Sequence, residues 1–413
     1  MIIAGEVSGD LHASRLISGI KRIDREAVFR FFGGDRMATA AGSEPEVHCD
    51  AMNVMGFSEV LRHLPRLLGH LRHARHLLDA FRPDALILVD YPGFNLKLAK
   101  TAHRLGIPVH YFISPKVWAW KEWRVKSIKK YVTALYSILP FEEDFYRRHD
   151  YHVKYVGNPS VKEMDEVLGR MPPLRHFLER HGIDDRRPVL ALIPGSRRGE
   201  VKNNLPVMME AASRFPDYQV IVGGSSSVPM KYYRQIAQTQ GLNVVFGATH
   251  ALMKHARAAL VTSGTATLET ALLGTPQVVC YRSNGSPLAY KIMERMLKVK
   301  YVSLPNLIVG NAVVPELLLH HCTPEAVTRH LSPLLHGSPE RDSQLAGYRK
   351  MRWRLGSSIA TDYAASLICE SLGLEIPLEA ALPREEGGDT PKKRKRRKPA
   401  EKQESHNSGA TVA

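Results

Sequence analysis

Acid–base and anion-binding chemistry concentrates in a few short stretches, each placed where an apolar run gives way to glycine or proline. In Val89-Asp-Tyr-Pro-Gly-Phe-Asn95 the preceding apolar run delivers Asp90 to the end of a buried strand, and Pro92-Gly93 turns the chain outward. A carboxylate there, beside a cleft, suits a general base; a turn or helix-capping aspartate fits the spacing equally well. In Ala4-Gly-Glu-Val-Ser-Gly-Asp10 a strand meets a glycine turn. Glu6, Ser8 and Asp10 therefore lie at a strand's carboxyl end, where open α/β folds bind ligands. On spacing alone, a plain βα turn with a capping side chain is the simpler reading.

Two further stretches suit an anion. In Leu192-Ile-Pro-Gly-Ser-Arg-Arg-Gly-Glu-Val201 a strand ends at a Pro-Gly turn, and Gly195, Ser196 and Arg197 open a helix. Amide donors, a helix dipole and a planar cationic fork together match a diphosphate, although the stretch is not a Walker loop. In Leu260–Ala271, Ser263, Gly264 and Thr265 open another helix N-terminus suited to phosphate oxygens. Glu269, one turn in, either meets a ribose hydroxyl or is a solvated acid stabilised by the dipole. Asn306, between a proline and a short apolar run, is a weaker ligand candidate.

The elements that must position these residues alternate. Solidly apolar, β-branched runs interleave with helical stretches, which predicts βα units and parallel sheets covered on both faces. Strand candidates are Ile2–Ala4, Ala85–Val89, Val109–Ile113, Ala134–Leu139 and Val153–Val156, then Val189–Ile193, Gln219–Val222, Val244–Phe246, Ala259–Thr262 and Gln277–Tyr281. The polar, proline-bearing stretch Glu163–Arg187 between the two sets is the expected domain junction. The predicted fold is α/β, with two Rossmann-like domains, 1–170 and 171–340, facing a cleft. Helices in 341–372 close the second domain or return to the first, and 373–413 is a disordered basic tail.

At 413 residues, 44% apolar and 24% charged, the chain has the balance of a soluble globular protein of two or three domains. Its four cysteines form no C-x-x-C pair, which excludes a disulfide scaffold or zinc ribbon and suits a reducing cytosol. There is no apolar run long enough to span a membrane, and the first residues lack the features of a signal peptide. The net charge is +16; from Glu375 onward nine Lys/Arg face seven Asp/Glu, so +14 belongs to the first 374 residues. An anionic partner is expected. The basic run Lys392–Lys398 reads as a solubilising or weakly membrane-attracted tail with no catalytic role.

Taken in order, seven motifs resemble the lipid A disaccharide synthase family over about residues 1–370. They are A-G-E-x-S-G-D (Ala4–Asp10), V-D-x-P-x-F-N (Val89–Asn95), I-S-P-x-V-W-A-W (Ile113–Trp120), L-P-F-E (Leu139–Glu142), P-G-S-R (Pro194–Arg197), S-G-T-A-x-L-E (Ser263–Glu269) and S-L-P-N-L (Ser303–Leu307). The resemblance implies an inverting glycosyltransferase of the two-domain GT-B class. Its reaction joins UDP-2,3-diacylglucosamine to an acylated monosaccharide phosphate, 2,3-diacylglucosamine-1-phosphate, and releases UDP. It implies Asp90 as the base and Arg197 as a diphosphate ligand, with Glu6, Ser8, Ser263, Gly264, Thr265, Glu269 and Asn306 as site positions. No D-x-D pair occurs, so no metal or other cofactor is expected. Another GT-B enzyme, such as a UDP-sugar 2-epimerase or a lipid-linked glycosyltransferase, is the alternative.

Two departures from the family stand out. The family normally has more residues before A-G-E, so either the first strand is short or the start lies upstream of Met1. Asn158 replaces the histidine of a G-H-P motif and is given no role.

Acylated substrates imply a membrane-facing patch. Leu61, Leu64, Leu68 and Leu71 follow helical spacing among Arg62, Arg66, Arg72 and Arg75, as in a basic amphipathic helix. Trp118, Trp120 and Trp123 with Lys121, Arg124 and Lys126 add an interfacial mixture. The expected location is cytoplasmic, peripheral on the inner face of the inner membrane. The expected partners are the lipid substrates and an anionic surface; no nucleic acid is expected, and a homodimer is left open.

Overall fold

The computed structural model describes residues 1–52, 57–184, 186–282, 300–356 and 359–377, without the side chains of residues 57–63 and Trp120. The predicted tail from residue 378 onward, with its basic run, lies outside the described residues, as do the side chains of Leu61 and Arg62.

The strands are β1 (Ile2–Ala4), β2 (Phe31–Gly33), β3 (Val47–His48), β4 (Leu86–Val89), β5 (Val109–Phe112), β6 (Ala134–Ser137) and β7 (Lys154–Tyr155). The second half contributes β8 (Val189–Ile193), β9 (Gln219–Gly224), β10 (Val244–Phe246), β11 (Ala258–Thr262), β12 (Gln277–Tyr281) and β13 (Glu316–Leu318). They form two sheets, ordered β3-β2-β1-β4-β5-β6-β7 and β10-β9-β8-β11-β12-β13, in which every pairing is parallel. Helices cover both faces, which is why strands such as β4 and β8 are buried at every position and are apolar throughout.

In each sheet the strand order reverses once, between β1 and β4 and between β8 and β11. Ligands bind at such points, outside the carboxyl ends of the strands. The register pairs Ala4 with Val89 and Ile193 with Val261. It therefore brings Gly5 and Glu6 beside Asp90 in one sheet, and Pro194 and Gly195 beside Thr262 and Ser263 in the other. β1, only three residues long, sits in the middle of its sheet with Ile2 and Ile3 fully buried, so the short first strand does not leave a weak sheet edge.

The stretch expected as the domain junction lies between the last strand of the first sheet and the first strand of the second, and it is largely helical. Residues 159–181 form two helices, Pro159–Gly169 and Leu174–His181. They bury Val161, Met164, Phe177 and Leu178 in one apolar cluster with Ile3 and Leu88 of the first sheet and Ile193 and Val261 of the second. Polar composition marked the outer faces of these helices rather than a break in packing. After helix Pro339–Leu355 the chain returns, and helix Ala360–Ser371 lies on helix Val7–Ile23. Gly19 allows that approach, since a Cβ there would stand 2.8 Å from that of Ala365. Arg22 pairs with Asp362, and Arg352 pairs with Asp165 at 2.7 Å, tying the returning segment to the first half.

Candidate active site

On the first sheet the backbone is held in an unusual form. Asp90 (φ 45°), Tyr91 (φ 47°) and Ile113 (φ 66°) are all left-handed without being glycine. Each such residue costs on the order of 1–3 kcal/mol and persists only where its surroundings hold it. They cluster where β4 and β5 end. The Asp90 carbonyl accepts from Tyr111 Oη and from Asn95 Nδ2 at 2.7 Å, and Tyr91 Oη donates to the Met52 carbonyl at 2.8 Å. Gly5 is required by the same packing, because a Cβ there would lie 2.6 Å from the Tyr91 ring. Asn95 is completely buried and serves as the clamp that aims Asp90.

Burial pushes the Asp90 carboxyl above the usual aspartate range, while Lys116 and the Tyr91 amide oppose the shift. Glu6 occupies the N-cap of helix Val7–Ile23 without its carboxylate making a capping bond. Burial first, and then the Asp90 charge, raise its pKa; the cations Arg197 and Lys116 pull it down. Glu6 thus feels Asp90 from its own sheet and Arg197 from the other. Ser8 is exposed in the first turn of that helix. Asp10 is engaged elsewhere. Its carboxylate accepts from the amides of Gly34 (2.7 Å), Met37 (3.1 Å) and Arg36 (3.3 Å), capping helix Asp35–Ala41.

On the second sheet the Gly195 turn (φ 119°) is already filled by a carboxylate. Glu200 Oε2 accepts from the amides of Ser196 (2.9 Å) and Arg197 (3.3 Å), and Oε1 meets Arg197 Nη1 at 3.2 Å. The amides expected to cradle a diphosphate therefore hold Glu200, and what faces solvent is the Arg197 side chain, 60% exposed. Gly264 and Thr265 are exposed, and Ser263 half-buried, at the start of helix Thr265–Leu272. Beneath both loops lies Asn204, fully buried, which donates to the Pro194 carbonyl (3.1 Å) and Thr262 Oγ1 (3.0 Å) and accepts from the Arg282 amide (2.8 Å). One side chain thus fixes the ends of β8, β11 and β12.

Two candidates have other work. Glu269 Oε2 lies 3.1 Å from His250 Nε2, and that hydrogen bond raises the histidine's pKa. Asn306 is saturated by the fold. Its amide donates to the Val314 carbonyl (2.9 Å) and Glu316 Oε1 (2.7 Å), and its oxygen accepts from the amides of Val313 (2.6 Å) and Val314 (2.8 Å). It is a buried clamp with nothing left for a ligand, which corrects the expectation.

Lys116, Asn95, Glu200, Asn204 and His250 were not singled out from sequence. For Lys116 the signal lies in the topology: β5 neighbours β4, so the Ile113–Lys116 turn falls beside Asp90. Glu142 is buried, and its carboxylate accepts from Trp118 Nε1 at 2.9 Å and from the Ser137 hydroxyl.

The comparisons with known proteins can be set against this geometry. A family model described as lipid-A-disaccharide synthetase matches residues 1–366. The chain belongs to that family. The lipid-A-disaccharide synthase of Myxococcus xanthus is 39% identical over 378 residues, covering 90% of this chain and 97% of that protein. The synthase of Nitrosococcus oceani is 37% identical, with the same coverage. Members of this family are glycosyltransferases of lipid A biosynthesis, and so is this chain.

Solved structures show the same architecture at low identity. A UDP-bound MnaA from S. aureus superposes with a TM-score of 0.62 at 12% identity, covering 91% of this chain and 98% of that one. UDP-GlcNAc 2-epimerase from Neisseria meningitidis gives 0.59 at 12%, covering 91% and 99%. The calicheamicin glycosyltransferase CalG4 gives 0.55 at 17%, covering 91% and 98%. They establish the two-domain GT-B fold.

Two outcomes follow from the electrostatics. If Asp90 must be ionised to act, kcat declines as pH is lowered through a value above the ordinary 3.8, and Asp90→Asn loses about 10²–10⁴-fold in kcat with its unfolding midpoint preserved; pH–rate profiles and denaturation check both. Burial pushes Glu142 from 4.5 up to about 7. Between those values the folded chain keeps a proton that the unfolded chain has lost, so stability falls as pH rises through this window. Glu142→Gln is expected to flatten that decline in urea midpoints taken at mildly acidic and mildly alkaline pH.

Proposed function

We propose that this chain condenses UDP-2,3-diacylglucosamine with 2,3-diacylglucosamine-1-phosphate, forming the β-1,6 disaccharide with inversion and releasing UDP. The observation that carries the reading is the Ala4–Val89 register, which sets Glu6 beside Asp90 at the first sheet's switch point, with Arg197 of the second sheet lowering the Glu6 pKa. In the proposed step the Asp90 carboxylate takes the proton of the acceptor's 6-hydroxyl as that oxygen bonds to the donor's anomeric carbon. The anomeric carbon–oxygen bond to UDP breaks on the opposite face. Glu6 and Lys116 flank the base. With two carboxylates close together, one holds its proton more tightly than it would alone, so Glu6 can donate a hydrogen bond to the acceptor while Ser8 supplies a hydroxyl.

The departing diphosphate carries its charge to the Arg197 guanidinium and to the helix N-terminus at Ser263, Gly264 and Thr265. Ser196 and Gly195 shape that loop, and Glu269, paired with His250, is the proposed contact for the ribose. Residues 1–170 form the acceptor half and 171–340 the donor half, with the remaining helices closing the assembly.

Membrane attachment is part of the same proposal. In helix Phe57–Phe81, Leu71, Ala74 and Leu78 face the core, while Leu64 and Leu68 are about two-fifths exposed near exposed Arg66, Arg72 and Arg75. Trp123 is exposed as well, but Trp118 is buried and takes no part in this surface. Among the described residues no helix is long and apolar enough to cross a membrane. We place the chain peripherally on the cytoplasmic leaflet, held by this basic, leucine-bearing helix.

Mass spectrometry of a mixture of both acylated substrates is expected to show the disaccharide phosphate and UDP. With UDP-GlcNAc alone no epimer forms; conversion without an acceptor would favour the epimerase reading. Arg197→Ala is expected to weaken donor binding by roughly tenfold or more and acceptor binding little; an unchanged donor affinity removes Arg197 from that role.

A further inference from the structure

A cavity of about 640 Å³ opens between the two halves, apart from the carboxylates and Arg197. Its volume falls within the roughly 300–1,000 Å³ of small-molecule sites. The first half lines it with Trp118, Phe141 and Phe145, and the second with Tyr301 and Leu307. The ring arrangement is fixed: Trp118 meets Phe141 edge-on at 5.0 Å, and Glu142 holds the Trp118 indole from behind at 2.9 Å. Arg148 and Lys300, both exposed, supply cations at its open side.

Lys116, which acts on Asp90 and Glu6, leads directly into helix Val117–Trp120, the helix that carries Trp118 into this wall. The chain therefore links one wall of the cavity to the reacting cluster, and the cavity combines an aromatic floor with a polar edge made of two cations and Glu122, which meets His149 at 3.0 Å. An amphiphile with an apolar chain and an anionic head matches both surfaces; a wholly polar sugar matches only one.

We propose that this groove seats an acyl chain of the lipid-linked sugar phosphate, aligning the sugar with Asp90. The inference rests on the transferase reading above but is read out separately from it.

The test is calorimetric titration of the full chain with the acylated monosaccharide phosphate carrying butanoyl, decanoyl or tetradecanoyl groups, which needs no turnover. In the wild type, affinity is expected to rise with chain length, by up to roughly fourfold for each methylene the groove buries. Leu307→Trp, which fills the groove, and Tyr301→Ala, which removes part of its wall, are each expected to cut the ratio of tetradecanoyl to butanoyl affinity by roughly tenfold. A wild type indifferent to chain length, or folded variants as chain-selective as the wild type, would overturn the proposal. Chain-selective binding without disaccharide formation would leave the groove standing and sink the transferase reading instead.

Discussion

The structure depends on one electrostatic arrangement: a half-buried glutamate and a half-buried aspartate at the ends of β1 and β4, with an arginine delivered from the end of β8. Burial raises the pKa of both acids; Lys116 opposes that shift at each of them, and Arg197 opposes it at Glu6. Neither sheet can build this environment by itself. The first supplies the acids and one lysine, and the second supplies the cation suited to a leaving diphosphate.

Much of the surrounding sequence maintains that arrangement at a distance. Asn95 and Tyr111 lock the strained Asp90 backbone, Asn204 binds three strand ends beneath the Arg197 loop, and Asn306 with Glu316 fixes helix Leu304–Val309. These are buried polar groups whose partners are nearly all backbone, so truncating any one would leave unpaired donors or acceptors in the interior. Glu200 has a related role in the open. As an internal anion it keeps the Gly195 turn in shape and orients Arg197, which explains how a loop with so exposed an arginine can stay ordered.

The strands proved more legible than the roles of individual polar side chains. All ten apolar runs read from sequence lie on observed strands, because doubly covered strands are apolar along their whole length. The three that gave no signal, β2, β3 and β13, are two or three residues long and include Gly33, His48 or Glu316, too short to display a pattern. Site legibility followed the topology. Glu6, Asp90, Arg197 and Ser263 could be placed because each follows a strand at a position where strand order reverses. Asn306 and Asp10 misled because an unusual polar residue near a turn looks the same whether it meets a ligand or a buried amide. Lys116 was missed because its importance depends on β5 lying beside β4, which a linear reading does not display.

The central claim is that the Asp90–Glu6 pair and Arg197 share one space across the two halves. Its most direct test is the NMR titration of isotopically labelled Glu6 in the full chain, with and without Arg197→Ala. Since Arg197 holds the Glu6 pKa down, the account predicts a clear upward shift when the guanidinium is removed. An unchanged titration would mean that the two loops do not face each other, and would contradict it.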